Sequence, residues 1–160
     1  MQATESILEQ SSDLQEPVRY VLRQKPRALW FTSPEATVYE AIEQMSERRV
    51  GALVVLSAGK LAGIITERDY ARKVILQGRQ SKQTQVREIM TTPVLFVHHD
   101  TSVGECMRLM TTRRVRHLPV MEGENVTGML SIGDLVNWLV TAQDHTIRHL
   151  TGYITGKYPG

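Results

Sequence analysis

The sequence predicts a mixed α/β (α+β) protein: two tandem β-α-β-β-α repeats packed sheet to sheet with pseudo-two-fold symmetry. Three observations predict it: an internal duplication, amphipathic stripes at matching places in both copies, and paired β-rich runs after each stripe. Writing residues 35–75 above 100–140, at a constant offset of 65, aligns ten identities without a gap. They are Val38/Val103, Glu40/Glu105, Met45/Met110, Arg48/Arg113, Arg49/Arg114, Val50/Val115, Leu53/Leu118, Val55/Val120, Gly63/Gly128 and Asp69/Asp134. Chance gives roughly two or three in such a window, so the repeat organises the rest of the chain.

Each copy is led by a short helix, over VRYVL (18–22) and VREIM (86–90), and by an apolar run expected as a strand, ALWF (28–31) and PVLFV (93–97). Spacing then gives the long helix. Val38, Ala41, Ile42 and Met45 fall at i, i+3, i+4 and i+7, and Val103, Cys106, Met107 and Met110 repeat the pattern, so each helix has one apolar face. After a double arginine come two strands, ALVVL and LAGIIT around the turn 57–60, and HLPVM and VTGMLS around the turn 122–125. A second helix is expected from Arg68 to Leu76 and from Gly133 to Ala142, each with an aspartate in its first turn. One such unit is too small to bury a sufficient core alone, which is why the copies are expected to pack on each other.

The expected organisation is therefore a flexible segment over 1–15, a first repeat over 16–76, a polar linker QGRQSKQTQ over 77–85 and a second repeat over 86–142. In the tail, 143–160, Ile147, Leu150, Tyr153 and Ile154 form an apolar stripe, as a docking helix would.

Composition narrows the function classes. The chain is 41% hydrophobic with a formal net charge of +2, an ordinary globular balance that gives no field for nucleic acid or a membrane surface. Aromatic residues make up 6%, with no interleaved basic and aromatic pattern for single-stranded nucleic acid. The segment MQATESILEQSSDLQEP has neither a basic leader nor an apolar core, and the longest apolar run, VGALVVL, is too short to span a bilayer. A cytoplasmic location is expected. Cys106, the lone cysteine, falls on an apolar helix face, which excludes an intrachain disulfide and suits a reducing compartment.

The segment GIITERD (63–69) and its counterpart GMLSIGD (128–134) share a glycine, a hydroxyl and an aspartate. Two tandem helix–strand–strand–helix units, each with Gly-h-h-Thr/Ser-x-x-Asp (h, apolar) at the second strand-to-helix junction, and HLPV in the second, resemble a pair of CBS (cystathionine-β-synthase-type) domains, or Bateman module. The resemblance covers residues 16–142. It implies a stand-alone, bacterial-type regulatory protein that binds an adenosine-containing ligand between its repeats, associates as a homodimer and acts on another protein in trans. AMP is the first expectation, since one phosphate suits a compact basic set. NAD(H) is next, with ADP, ATP and S-adenosylmethionine in the same class.

Thr66 with Asp69, and Ser131 with Asp134, have the spacing of a helix N-cap and its third residue, a cap worth about 1 kcal/mol. A carboxylate there can also accept hydrogen bonds from both hydroxyls of a ribose, while the hydroxyl residue and the helix N-terminus add donors. The two roles are compatible. The resemblance implies that Thr66 and Asp69 face Arg114, Arg116 and His117 of the second copy, a basic set for phosphate, with adenine against Val94 and Leu95. Arg68 either reaches that phosphate or pairs with Glu67. The reciprocal site would join Ser131 and Asp134 to Arg49, Gly51 and Ala52, with adenine against Leu29 and Trp30. Gly51 and Ala52 stand where the other copy has Arg116 and His117, so this secondary site is expected to be weaker. The arginine pairs have a second reading as solvated helix ends that offset the C-terminal dipole.

No catalytic constellation emerges. Gly59–Lys60 imitates the end of a P-loop, yet Val54 and Leu61 occupy the required glycine and hydroxyl positions. There is no G-x-G-x-x-G, and neither His98–His99–Asp100 nor His145/His149 closes a metal set. The expectation is a binding protein with no catalytic residues and no metal; the competing one is a protein-interaction or nucleic-acid-binding dimerisation module.

Overall fold

The structure, a computed structural model, describes residues 12–26 and 28–142. Residues 12–15 are helical, and the elements that follow are α1 (Val18–Arg23), β1 (Phe31–Thr32), α2 (Val38–Arg48), β2 (Ala52–Ser57) and β3 (Lys60–Thr66). Next comes α3 (Glu67–Tyr70), continued by a π-helical turn (Ala71–Ile75), and a 3-10 turn (Ser81–Gln83). The second half contains α4 (Val86–Ile89), β4 (Val97–His98), α5 (Val103–Arg113), β5 (His117–Glu122), β6 (Asn125–Ser131) and a helix α6 over 132–142. The architecture is mixed α/β, with two three-stranded sheets ordered β1-β2-β3 and β4-β5-β6.

The duplication extends to hydrogen-bond register. β1 pairs parallel with β2, Thr32 opposite Val55, and β4 pairs parallel with β5, Val97 opposite Val120. Both edge strands are shorter than expected: 28–30 and 93–96 lie outside the sheets. In the first of them Trp30 packs on the core cluster instead of extending the ladder. The β2–β3 hairpin turns through Ala58 and Gly59, both at positive φ, as a two-residue hairpin turn requires.

The described chain divides into two compact units. One draws on residues 28–98 and 117–129. Its core joins the predicted face of α2 (Val38, Ala41, Met45) to Leu53, Val55 and Ile65 of the sheet and to Val74, Val86 and Ile89. The alternate strand residues Ala52, Val54 and Ile64 are buried as well, so both sheet faces are covered and β2 reads as a continuous apolar run. The other unit draws on residues 12–26, 99–116 and 130–142, and buries Val18, Val21, Val103, Cys106, Met110, Leu130 and Leu135.

These units do not follow the sequence repeats, because each leading segment is bonded to the opposite copy. In one unit Val86 N–H donates to the Ala36 carbonyl and Arg87 N–H to that of Pro34; in the other, Val18 N–H donates to Thr101 and Arg19 N–H to His99. The helix N-termini complete the exchange. Val38 N–H donates to the Thr84 carbonyl, and Val103 N–H to that of Glu16, satisfying donors that a helix start otherwise leaves open. The polar segment 77–85 is correspondingly more structured than a plain linker. Thr84 is buried with its hydroxyl on the Gln80 carbonyl, and Arg79 pairs with Glu88 at 2.6 Å. A backbone bond from Gln85 N–H and the Arg79 guanidinium hold the Glu88 carboxyl below its usual range.

The second helix of the first copy also departs from expectation. It starts at Glu67 and changes to π register at Ala71, with Leu76 N–H bonded to the Ala71 carbonyl, whereas residues 132–142 of the second copy are α-helical throughout. The tail stripe, Ile147 to Ile154, lies outside the described residues, as do residues 1–11 of the expected flexible segment.

Candidate functional site

The β3–α3 junction is fixed by its own sequence. Thr66 ends the strand in extended conformation, and its Oγ1 accepts from Asp69 N–H at 3.1 Å. Asp69 Oδ2 in return accepts from Thr66 N–H at 3.0 Å and from the Thr66 hydroxyl at 3.1 Å, closing a capping box. Asp69 is 8% exposed, one of the few buried charged or polar side chains. A carboxylate that far from water must be held by donors on both oxygens.

The other oxygen is held by groups the sequence did not single out. Asp69 Oδ1 accepts from the Thr91 hydroxyl at 3.2 Å and lies 3.1 Å from Lys73 Nζ, which also donates to the Ile89 carbonyl at 2.8 Å. Lys73 is four residues beyond Asp69, a spacing at which acid and base meet on a helix face. Thr91 arrives through a two-way backbone bridge with Ile64. Gly63 permits that approach. A Cβ there would sit 2.7 Å from Met90 Sδ and 3.2 Å from the Thr91 carbonyl oxygen, so the shared glycine of the motif serves packing in this copy.

Among the remaining expected site residues in this unit, His117 of the second copy lies beside Gly51, next to the start of α3. A Cβ on Gly51 would lie 3.3 Å from His117 Cε1 and 3.6 Å from Glu67 Oε2, so the imidazole and the first carboxylate of α3 flank one glycine. Glu67 N–H donates to the Gly51 carbonyl, tying that glycine to the helix start. Arg68 is exposed on α3, and Val94 and Leu95 are half-buried in the irregular stretch between Thr91 and β4. Arg114 and Arg116 belong to the other compact unit. Arg114 caps α5 in the left-handed conformation (φ 53), and the Arg116 carbonyl accepts from Ile132 N–H.

The second copy repeats the cap with a different cation. Asp134 Oδ2 accepts from Ser131 N–H at 2.8 Å, and Ser131 Oγ accepts from Asp134 N–H at 3.1 Å. Its lysine is Lys25, whose Nζ lies 2.8 Å from Oδ2. Trp138 stands where the first copy has Lys73, and its indole N–H is buried without a hydrogen-bond partner. Whereas Asp134 lies in the other unit, Leu29, Trp30, Arg49, Gly51 and Ala52, expected to complete a site with it, lie in the unit of residues 28–98 and 117–129. There Ala52 is core and Trp30 carries the Arg48 guanidinium 4.0 Å over its ring. Arg49 is exposed at the left-handed C-cap of α2 (φ 55), the counterpart of Arg114.

Cys106 is buried on α5, and burial, with the Glu105 carboxylate adding to it, pushes its thiol from about 9.0 up to about 12. A thiol held neutral in this way is not a nucleophile at physiological pH. Among the described residues no group of three His, Cys, Asp or Glu side chains could hold a metal ion, and no helix is long and apolar enough to cross a membrane.

Comparison with known proteins places this architecture. The CBS domain family matches at residues 27–75 and 86–141. The chain is 47% identical over 135 residues to the mitochondrial CBS domain-containing protein CBSX3 of Arabidopsis thaliana, a match that covers 81% of this chain and 65% of that relative. Against CBSCBSPB3 of the same plant it is 40% identical over 103 residues, 63% of this chain and 18% of that relative's length. Among solved structures, a CBS-domain chain from Burkholderia ambifaria MC40-6 is 48% identical with a TM-score of 0.76, covering 78% of this chain and 94% of that one. A hexameric CBS-CP12 protein from bloom-forming cyanobacteria is 28% identical with a TM-score of 0.68, covering 75% of this chain and 70% of that one.

Proposed function

The chain belongs to the CBS domain family, and from that premise we propose that it is a regulatory sensor that binds AMP or a related adenine nucleotide without turnover. The observation that carries the proposal is Asp69: a buried carboxylate at a strand-to-helix junction, flanked by the hydroxyls of Thr66 and Thr91 and by one lysine. A carboxylate with adjacent hydroxyls matches a ribose diol, and the first-turn N–H groups of α3, His117 and Lys73 offer donors for a phosphate. NAD(H), ADP, ATP and S-adenosylmethionine present the same nucleoside and form the rest of the ligand class. Asp134 is the poorer site, since Trp138 replaces the local lysine.

Ligand binding would act by favouring one arrangement of the protein over another, to the extent of its differential affinity, and a partner protein in trans would read the outcome. Self-association as a homodimer and a cytoplasmic location are parts of the same proposal. The relatives compared carry CBS-domain names and no enzyme name, in keeping with binding in place of catalysis.

A thermal-shift panel of AMP, ADP, ATP, NAD(H) and S-adenosylmethionine tests the proposal. Ligand at about 100 times its dissociation constant adds roughly 2.7 kcal/mol to stability. A rise in melting temperature with AMP is the expected result. No shift with any adenosyl ligand contradicts it and favours an interaction module.

A further inference from the structure

We propose that Lys73 determines specificity at the Asp69 site by occupying, in the free protein, the carboxylate positions a ribose would use. The inference rests on the nucleotide reading of that site. An ionised carboxylate offers about four acceptor positions. In Asp69 four donors meet it: Thr66 N–H and the Thr66 hydroxyl on Oδ2, the Thr91 hydroxyl and the Lys73 ammonium on Oδ1. A ribose diol therefore enters only by displacing donors. The backbone N–H is fixed by the cap, and the two hydroxyls can rotate to other acceptors at little cost. The ammonium cannot leave without losing its anion.

Lys73 is also the donor best able to move. Its side chain is 44% exposed, on the π-helical turn, with a second bond to the Ile89 carbonyl. Displaced by a neutral nucleoside, the ammonium keeps only that neutral carbonyl. Displaced by a nucleoside carrying a phosphate, it gains a new anion on the same ligand. The site thus penalises adenosine and accepts phosphorylated nucleosides. The ligand class is a nucleoside phosphate, and the lysine that closes the empty site discriminates at the filled one. Asp134 has no equivalent, since its cation comes from Lys25 of a distant segment.

Calorimetric titration of the full chain with AMP and with adenosine, in wild type, Lys73→Met and Lys73→Arg, tests this. Half-exposed ion pairs are worth a few-fold in affinity, so Lys73→Met should bind adenosine about threefold tighter and AMP about threefold weaker. The AMP-to-adenosine preference then falls about tenfold, whereas Lys73→Arg, which keeps the cation, retains it. Equal weakening of both ligands by Lys73→Met, the signature of a clasp that merely holds Ile89, overturns the proposal, as does an unchanged preference. Wild type that binds neither ligand overturns the nucleotide reading itself. Wild type that binds AMP while the variants keep its preference overturns the role of Lys73 alone.

Discussion

The two strand-to-helix junctions, Thr66–Asp69 and Ser131–Asp134, solve the same local problem with different cations. Both cap a helix through a hydroxyl and an aspartate three residues on. In the first copy the balancing ammonium is four residues away on the same helix; in the second a tryptophan holds that place and Lys25 crosses from the first leading segment. The difference teaches that the cap is a property of the motif, whereas the charge balance is supplied by whichever segment the fold brings near. It also separates the sites. Asp69 carries a second hydroxyl, from Thr91, and a local, half-exposed lysine, while the Asp134 lysine comes from a distant stretch of chain.

The largest effect expected from this comparison concerns the aspartates. Asp69→Ala removes a cap and leaves Thr91 and Lys73 without their acceptor, so it should cost about 2–3 kcal/mol, against about 1–2 for Asp134→Ala. Urea unfolding of the two variants checks the order; a larger loss at Asp134 breaks the distinction. The glycines sharpen it further. Gly63→Ala drives a methyl into Met90 and the Thr91 backbone and should cost about 1–3 kcal/mol. Gly133→Ala meets Ser131 Oγ at an ordinary 3.6 Å and should stabilise α6 by about 0.5–1 kcal/mol. No loss on Gly63→Ala would mean that the motif glycine has no packing role.

The unit containing α5 has a titration of its own. The folded pKa of Cys106, about 12, lies above its unfolded value, so the native state binds the extra proton. Its contribution is complete below about pH 8.5 and is lost as pH rises toward the folded value, at up to about 1.4 kcal/mol per unit. Cys106→Ala should flatten that alkaline slope in denaturation measured from pH 8 to 11. An unchanged slope would assign it to other groups.

The smallest effects should be equal in the two copies. Arg49 and Arg114 both hold left-handed C-caps, and glycine adopts that conformation without a Cβ penalty. Arg49→Gly and Arg114→Gly should each gain about 0.5–1 kcal/mol in melting experiments. A loss at either would show that its side chain contributes a contact worth more than the strain.

Much of this was legible in the sequence, for reasons specific to each element. The stripes of α2 and α5 are buried along Val38, Ala41 and Met45 and along Val103, Cys106 and Met110, because helical periodicity records which face meets the core. The caps were legible because hydroxyl and acid sit three residues apart. Lys73 could have been found as an acid–base pair at i and i+4. Thr91 and Lys25 could not, since they reach their aspartates from 22 and 109 residues away through tertiary structure. The exchange of leading segments was hidden for another reason: the backbone bonds that join each segment to the opposite copy carry no side-chain signature. The run 28–31 misled in part because packing on a core, as Trp30 does, selects the same residue types as pairing in a sheet.

The central proposal is that Asp69 marks the primary nucleotide site and Asp134 the weaker one. Its most direct test is calorimetric titration of AMP into wild type, Asp69→Asn and Asp134→Asn, substitutions that keep the side-chain shape and remove the charge. The account predicts at least about a tenfold loss of affinity for Asp69→Asn and a change within about threefold for Asp134→Asn. A loss confined to Asp134→Asn, or of equal size in both, would contradict it.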